Sequence, residues 1–171
     1  MTAHAEWANR SSHTSVVLPD GSIVLMGGFN NNYLNDTWRS TDRGATWTRM
    51  TAHAEWAARY GHTSVVLPDG SIVLMGGYTG NSYKNDVWRS TDNGATWTQL
   101  SANAGWSARY THTSVVLPDS SIVLMGGFNG YKNDVWRLVS AGSSAQSPSH
   151  TFTNPGTYTV ALQVYNWRAT V

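Results

Sequence analysis

The chain of 171 residues contains no cysteine. That removes disulfides, thiolate nucleophiles and thiolate metal ligands together, although it does not fix a compartment. Charge is scarce as well: 12% of the residues are Asp, Glu, Lys or Arg, and eleven basic against ten acidic side chains leave a net charge of +1. No field of one sign is available to hold a nucleic-acid backbone or an anionic membrane surface, so neither nucleic acid nor membrane insertion is expected. No apolar run approaches the length that spans a bilayer. Met1 leads straight into a motif that recurs downstream, without a basic-then-apolar leader, so any export signal is expected outside these residues.

Aromatic rings and near-identical segments are what the chain has in quantity. Nine Trp and eight Tyr stand in a sequence that is 40% hydrophobic, enough for the core of one ordinary domain. The run from His13 to Gly28, HTSVVLPDGSIVLMGG, returns unchanged from His62 to Gly77, and from His112 to Gly127 with Ser120 in place of glycine. The period is about fifty residues, which signals stacked modules. Around the run, Trp7, Trp56 and Trp106 recur, as do Arg10, Arg59 and Arg109, each three positions before its His. Asn-Asp pairs begin at Asn35, Asn85 and Asn133, and Trp38, Trp88 and Trp136 follow two residues after each Asp.

Within one unit the run Thr14 to Leu18 is rich in β-branched residues, Pro19-Asp20-Gly21 is a turn, and Ile23 to Met26 is a second apolar run, which together predict a hairpin. Gly27 and Gly28 are read as ending the second strand. Thr37 to Ser40 predicts a third strand, Asp42-Arg43-Gly44 another turn, and Thr46 to Met50 a fourth strand. Four short antiparallel strands cannot bury both faces alone, so neighbouring units must stack sheet on sheet with the periodic aromatics between them. The predicted fold is all-β: three four-stranded blades over about residues 1–50, 51–100 and 101–140, followed by a linker and a strand segment over 141–171.

The succession Arg-x-x-His-Thr, an apolar strand ending in Gly-Gly, then Asn-Asp-Val-Trp resembles the kelch repeat, and three registered copies cover roughly residues 10 to 137. The resemblance implies a β-propeller. Inside it, Ser40-Thr-Asp42-Arg-Gly44-Ala-Thr-Trp47 and Ser90-Thr-Asp92-Asn-Gly94-Ala-Thr-Trp97 are similar to the Asp-box of sialidase-like propellers. In those families the box is a folding element remote from catalysis. The side chains point the same way: Asp and Ser can bond amides of the tight turn, Gly takes the positive φ, and Trp plugs the sheet. The third unit departs after Trp136, where RLVSAGSSAQSPSH replaces the box and the fourth strand. The segment Ser147 to Asn166 resembles the second half of a PKD domain, an immunoglobulin-like module, without that family's Phe-Gly-Asp-Gly turn. Its alternation of Tyr158, Val160, Leu162 and Val164 with polar or small residues predicts a strand paired to a sheet edge, of the third blade or of another chain. Kelch repeats joined to PKD modules resemble exported surface proteins of archaea and bacteria, which implies an extracellular or cell-surface location.

Chemistry is hard to find. All ten acidic residues occupy columns shared by at least two repeats: Glu6 and Glu55; Asp20, Asp69 and Asp119; Asp36, Asp86 and Asp134; Asp42 and Asp92. Repeated columns are scaffold columns first, whereas glycoside hydrolysis needs two differently tuned carboxylates facing one bond. The copper site that galactose oxidase relatives resemble would need a Cys crosslinked to Tyr, and there is none. His13, His62 and His112 are the best metal candidates, but each opens a strand and is read as a packing residue. Asn9-Arg10-Ser11 and Asn35-Asp36-Thr37 match a glycosylation pattern that is common by chance. The expected protein is non-catalytic and needs no cofactor or metal. The alternatives are a sialidase-like or other glycan-active enzyme with its site assembled between chains, or a self-assembling, fibre-forming protein.

Strands alternate in direction, so the connections from strand two to three and from strand four to the next blade share one face, opposite the hairpin turns. Their lengths differ between units, from Phe29 to Leu34, Tyr78 to Lys84 and Phe128 to Lys132. Candidate ligand contacts on this face are Asn31, Tyr33, Tyr83, Lys84 and Tyr131, with Trp7, Trp56, Trp106, Tyr60 and Tyr110 from the inter-blade segments. Amide and aromatic groups on a rigid scaffold suit protein or glycan recognition. Propellers usually close with four to eight blades, and this chain has three. A homodimer closing a six-bladed ring is the expected assembly, with head-to-tail growth into a fibre as its alternative.

Overall fold

The computed structural model describes residues 4–140 and 161–165. Those residues form strands, turns and loops, with no helix among them. The first blade consists of β1 (Thr14–Val17), β2 (Ile23–Phe29), β3 (Tyr33–Ser40) and β4 (Thr48–Thr51), antiparallel and in that order across the sheet. The second repeats it with β5 (Thr63–Val66), β6 (Ile72–Tyr78), β7 (Tyr83–Ser90) and β8 (Thr98–Ser101). The third holds β9 (Thr113–Val116), β10 (Ile122–Met125) and β11 (Val135–Ser140). Its outer edge is taken by β12 (Ala161–Tyr165), which runs parallel to β11 where the first two blades have an antiparallel fourth strand. Of the segment resembling a PKD half, residues 147–160 and 166 lie outside the described residues.

Local chemistry accounts for the hairpins. In the first turn Gly21 takes φ +81° and its amide donates to Leu18 O, while the Asp20 carboxylate accepts from Ser22 N at 2.9 Å and Ser22 Oγ at 2.6 Å. In the second, Ser40 Oγ accepts from Gly44 N, and Asp42 accepts from Thr46 N at 2.9 Å and Thr46 Oγ1 at 2.7 Å. Because Thr46 is tied back to Asp42, the fourth strand starts at Thr48 and not at Thr46 as expected.

Gly27 and Gly28 do not end the second strand. The ladder continues through them to Phe29, with a bulge between Met26 and Gly28, and β3 correspondingly begins at Tyr33, before the expected Thr37. The reason is tertiary. A Cβ on Gly27 would lie 2.8 Å from the His62 ring of the next blade, and Arg10 Nη1 donates to Gly27 O at 3.0 Å.

That arginine belongs to a knot present in every blade. Arg59 is fully buried, donates to Ala57 O and Gly76 O, and forms a two-pronged pair with Asp86 at 2.6 and 2.8 Å. Asp86 also accepts from Trp88 Nε1 at 2.9 Å, and the guanidinium lies 5.9 Å from the Trp56 ring centre. Arg10 with Asp36 and Arg109 with Asp134 repeat the arrangement. Between blades lie two apolar walls. Val16, Val24 and Met26 of the first blade meet Trp56, Ile72 and Leu74 of the second. Val65, Val73 and Met75 of the second meet Trp106, Ile122 and Leu124 of the third. The first strands of adjacent blades touch, with Thr14 Oγ1 2.8 Å from Ser64 Oγ, which makes them the inner strands of the stack.

Candidate functional site

The β2–β3 and β6–β7 connections and the segments between blades converge on one side of the molecule, as strand alternation requires. There the residues that follow the Gly-Gly bulges and those that precede each inner strand by three form a continuous aromatic path. Phe29 meets Tyr33 at 5.2 Å between ring centres, and Tyr33 stacks on Tyr60 at 5.8 Å with planes 18° apart. Tyr60 meets Tyr110 edge-on at 5.6 Å, and Tyr110 meets Tyr83 at 5.6 Å and Phe128 at 5.8 Å. Tyr131 ends the path against Phe128 and is 94% exposed. Three isolated bridges, Ser11 to Phe29, Tyr60 to Tyr78 and Tyr110 to Phe128, hold the two sources of rings together. Apart from Tyr131 the rings are half-buried, so each is held in place while part of it meets solvent.

Beside the path an open cleft of about 610 Å³ lies between the first two blades. Asn31, Asn32 and Tyr33 form one side, Thr79, Asn81 and Lys84 the other, with Ala57 and Ala58 between. The wall is held: Tyr78 Oη donates to Gly80 O at 2.7 Å, and a Cβ on Gly80 would lie 2.7 Å from the Tyr33 ring, so the second-blade loop rests directly on the first-blade tyrosine. Thr79 Oγ1 and Asn81 Oδ1 bond each other at 2.8 Å. Burial, and then the surrounding tyrosines, hold the Tyr60 hydroxyl above its ordinary pKa of 10, so it stays a neutral hydrogen-bonding group.

The sequence candidates separate accordingly. Asn31, Tyr33 and Lys84 line the cleft; Tyr60, Tyr83 and Tyr110 form the adjoining path, with Tyr131 at its end. Trp56 and Trp106 are corrections. Each is 1% exposed inside an inter-blade wall, where its area is worth more to packing than to any ligand. Trp7 occupies the same column, lies edge-on to Trp47 at 6.0 Å on the outer side of the first blade, and does not line the cleft. Tyr78 and Thr79 lie in the expected Tyr78 to Lys84 loop, and Ala57 and Ala58 in the inter-blade segment between Trp56 and Tyr60, without being singled out there. The Phe29, Tyr78 and Phe128 column was readable as a repeated aromatic, whereas the alanines carry no sequence signal of their own.

Every carboxylate is engaged in the scaffold. Glu6 and Glu55 accept from Trp47 N and Trp97 N, and Asp20, Asp69 and Asp119, in the first turn of each blade, pair with Arg39, Arg89 and Arg137 of its third strand. Asp42 is pulled down to about 2, foremost by its bonds from Thr46. Asp134 is likewise held at about 2, chiefly by Arg109. His62 Nε2 and His112 Nε2 bond Thr14 and Thr63 at 2.8 and 2.9 Å. Among the described residues no three His, Cys, Asp or Glu side chains group as metal ligands would.

Four-stranded blades stacked through aromatic walls, with loops of unequal length gathered on one face, define a blade-repeat scaffold of the propeller class. The family model for the KLHDC2/KLHL20/DRC7 Kelch-repeats domain matches residues 2–157, and the chain belongs to that kelch-repeat family. No curated protein matches it. Kelch-repeat domains serve as protein-binding modules, and the fold is that of an incomplete kelch propeller.

Proposed function

We propose that the chain is a non-catalytic binding module that takes a protein ligand on the loop face, in the cleft between the first two blades and along the tyrosine path. The observation that carries this reading is the continuity of partly exposed rings with a cleft offering amides, a hydroxyl and one cation, all on held loops. Such surfaces give large contact area at little cost in side-chain entropy. Placement in an extracellular or cell-surface protein, with hairpins of the Asp-box type and a PKD-like tail, belongs to the same reading and is supported by the sequence resemblances. So does self-association.

A glycan ligand is the second reading, favoured by the stacked pair Tyr33 and Tyr60, whose flat faces suit a sugar ring. Panning a displayed random-peptide library against the chain, in parallel with a glycan array, separates the two. Enriched peptides are expected, with affinity falling at least tenfold, about 1.4 kcal/mol, in the Asn31→Ala/Lys84→Ala variant. Glycan hits alone would move the assignment to a lectin. Binders indifferent to these substitutions would remove the site, and turnover of a sialoside or other glycan panel would overturn the non-catalytic reading.

A further inference from the structure

The two joints between the three blades are built alike. At the first, His62 Nε2 bonds Thr14 Oγ1, Gly28 N donates to Arg59 O, Arg59 N to Leu34 O, and Ala54 N to Asn35 O. At the second, the same bonds link His112 to Thr63, Gly77 to Arg109, Arg109 to Lys84, and Ala104 to Asn85. The apolar walls repeat in the same register, with Val66 packed into the first and Val116 into the second.

The outer sides of the end blades carry the two halves of this pattern. The first blade presents Trp7, His13 and Val17, the counterparts of Trp56, His62 and Val66. The third presents Thr113, Val115 and Val123, the counterparts of Thr14, Val16 and Val24. Burial shows what is missing: Val17 is 64% and Val115 46% exposed, whereas Val16 and Val65, the counterparts of Val115, are buried. His62 and His112 are buried and bonded to threonine, whereas His13 is half-buried and no hydrogen bond reaches its ring among the described residues.

We infer that these faces form a third joint of the same kind, made with a second copy of the chain. The first blade of each copy docks on the third blade of the other, so that His13 bonds Thr113 of the second copy and Val17 enters the wall that contains its Val115. The contact is head-to-tail and occurs twice, and it closes because two three-bladed chains make six blades, the one multiple of three within the usual four to eight. β12 does not obstruct it, since it lies at the outer edge of its sheet and not on its face. The inference rests on the self-association proposed above and is independent of what the loop face binds.

The absence of cysteine gives a clean test. In a Val17→Cys/Val115→Cys variant the only two thiols sit at exposed positions, where the fold of the chain does not depend on them, which circular dichroism checks. The unmodified chain is expected to show twice its 18.7 kDa mass by light scattering. A short bismaleimide should join the double variant into a product that stops at two chains and should leave each single variant unjoined, because residue 17 faces residue 115 and not its own copy. A ladder of larger products would mean an open filament and overturn the ring. A dimer whose double variant does not join, or whose single variants do, would place self-association on another surface and overturn this joint alone. A monomeric mass would overturn both.

Discussion

Arg59 has no exposed surface, yet it carries a charge, and its position is set entirely by partners that neutralise or accept from it. Removing it leaves Asp86 buried with Trp88 as its remaining partner. Arg59→Met is expected to cost about 3–5 kcal/mol in urea unfolding, the usual penalty for breaking a buried pair from one side. Arg59→Met/Asp86→Leu should recover a large part of that loss, because the penalty belongs to the orphaned charge more than to the pair. Equal losses in the single and double variants would show that the arginine acts through its bonds to Ala57 O and Gly76 O instead. The spacing of the Arg, Asp and Trp columns was plain in the sequence, but that the three form one knot was not. Arg59 and Asp86 are 27 residues apart, and only the return of the chain through β6 and β7 brings them together.

At the scale of the element, glycines of one repeat do different work. Gly21 sits at the tip of a hairpin with nothing within 4 Å of where a Cβ would stand, and the third blade already places Ser120 there at φ +65°. Gly21→Ser is therefore expected to cost only the left-handed backbone, roughly 1 kcal/mol. Gly76 is also left-handed, but an added Cβ would lie 2.8 Å from the His112 ring and 2.9 Å from Arg109 O, in a buried joint. Gly76→Ala should cost at least twice as much, roughly 2–4 kcal/mol, and chemical unfolding of the two variants side by side decides it; comparable losses would sink the close-approach account. The sequence marks both glycines as breakers. The hairpin tip obeys that reading because its geometry is local, whereas Gly76 and Gly77 stay within a strand because a neighbouring blade needs the space.

For the whole molecule, the joints between blades make stability depend on pH. Burial, and after it the adjacent arginine, lowers His62 to about 3 and His112 to about 4, from an ordinary value of 6.5. Their Nδ1 atoms have no partner, so an imidazolium would be left with an unmatched donor. The unfolded chain thus binds more protons than the folded one between pH 6.5 and about 4. Stability is complete above pH 6.5 and declines as pH falls through that window, by on the order of 2 kcal/mol for each histidine at pH 4.5. Urea melts at pH 7.5 and 4.5 should show the decline, and His112→Gln should reduce it by on the order of 2 kcal/mol. An unchanged pH dependence in that variant would place the titrating groups elsewhere. Repetition, the strand order of the first two blades, turn positions and the scaffold role of the acidic columns were determined by the sequence alone, because each depends on contacts within one fifty-residue unit, whereas the parallel edge strand β12 of the third blade comes from outside it. Only the tertiary structure decided that Trp56 and Trp106 belong to walls while Tyr33, Tyr60 and Tyr110 open onto a face. Residues of one chemical type in recurring columns acquire their roles from whether another sheet packs over them, and that is a property of the stack and not of the unit.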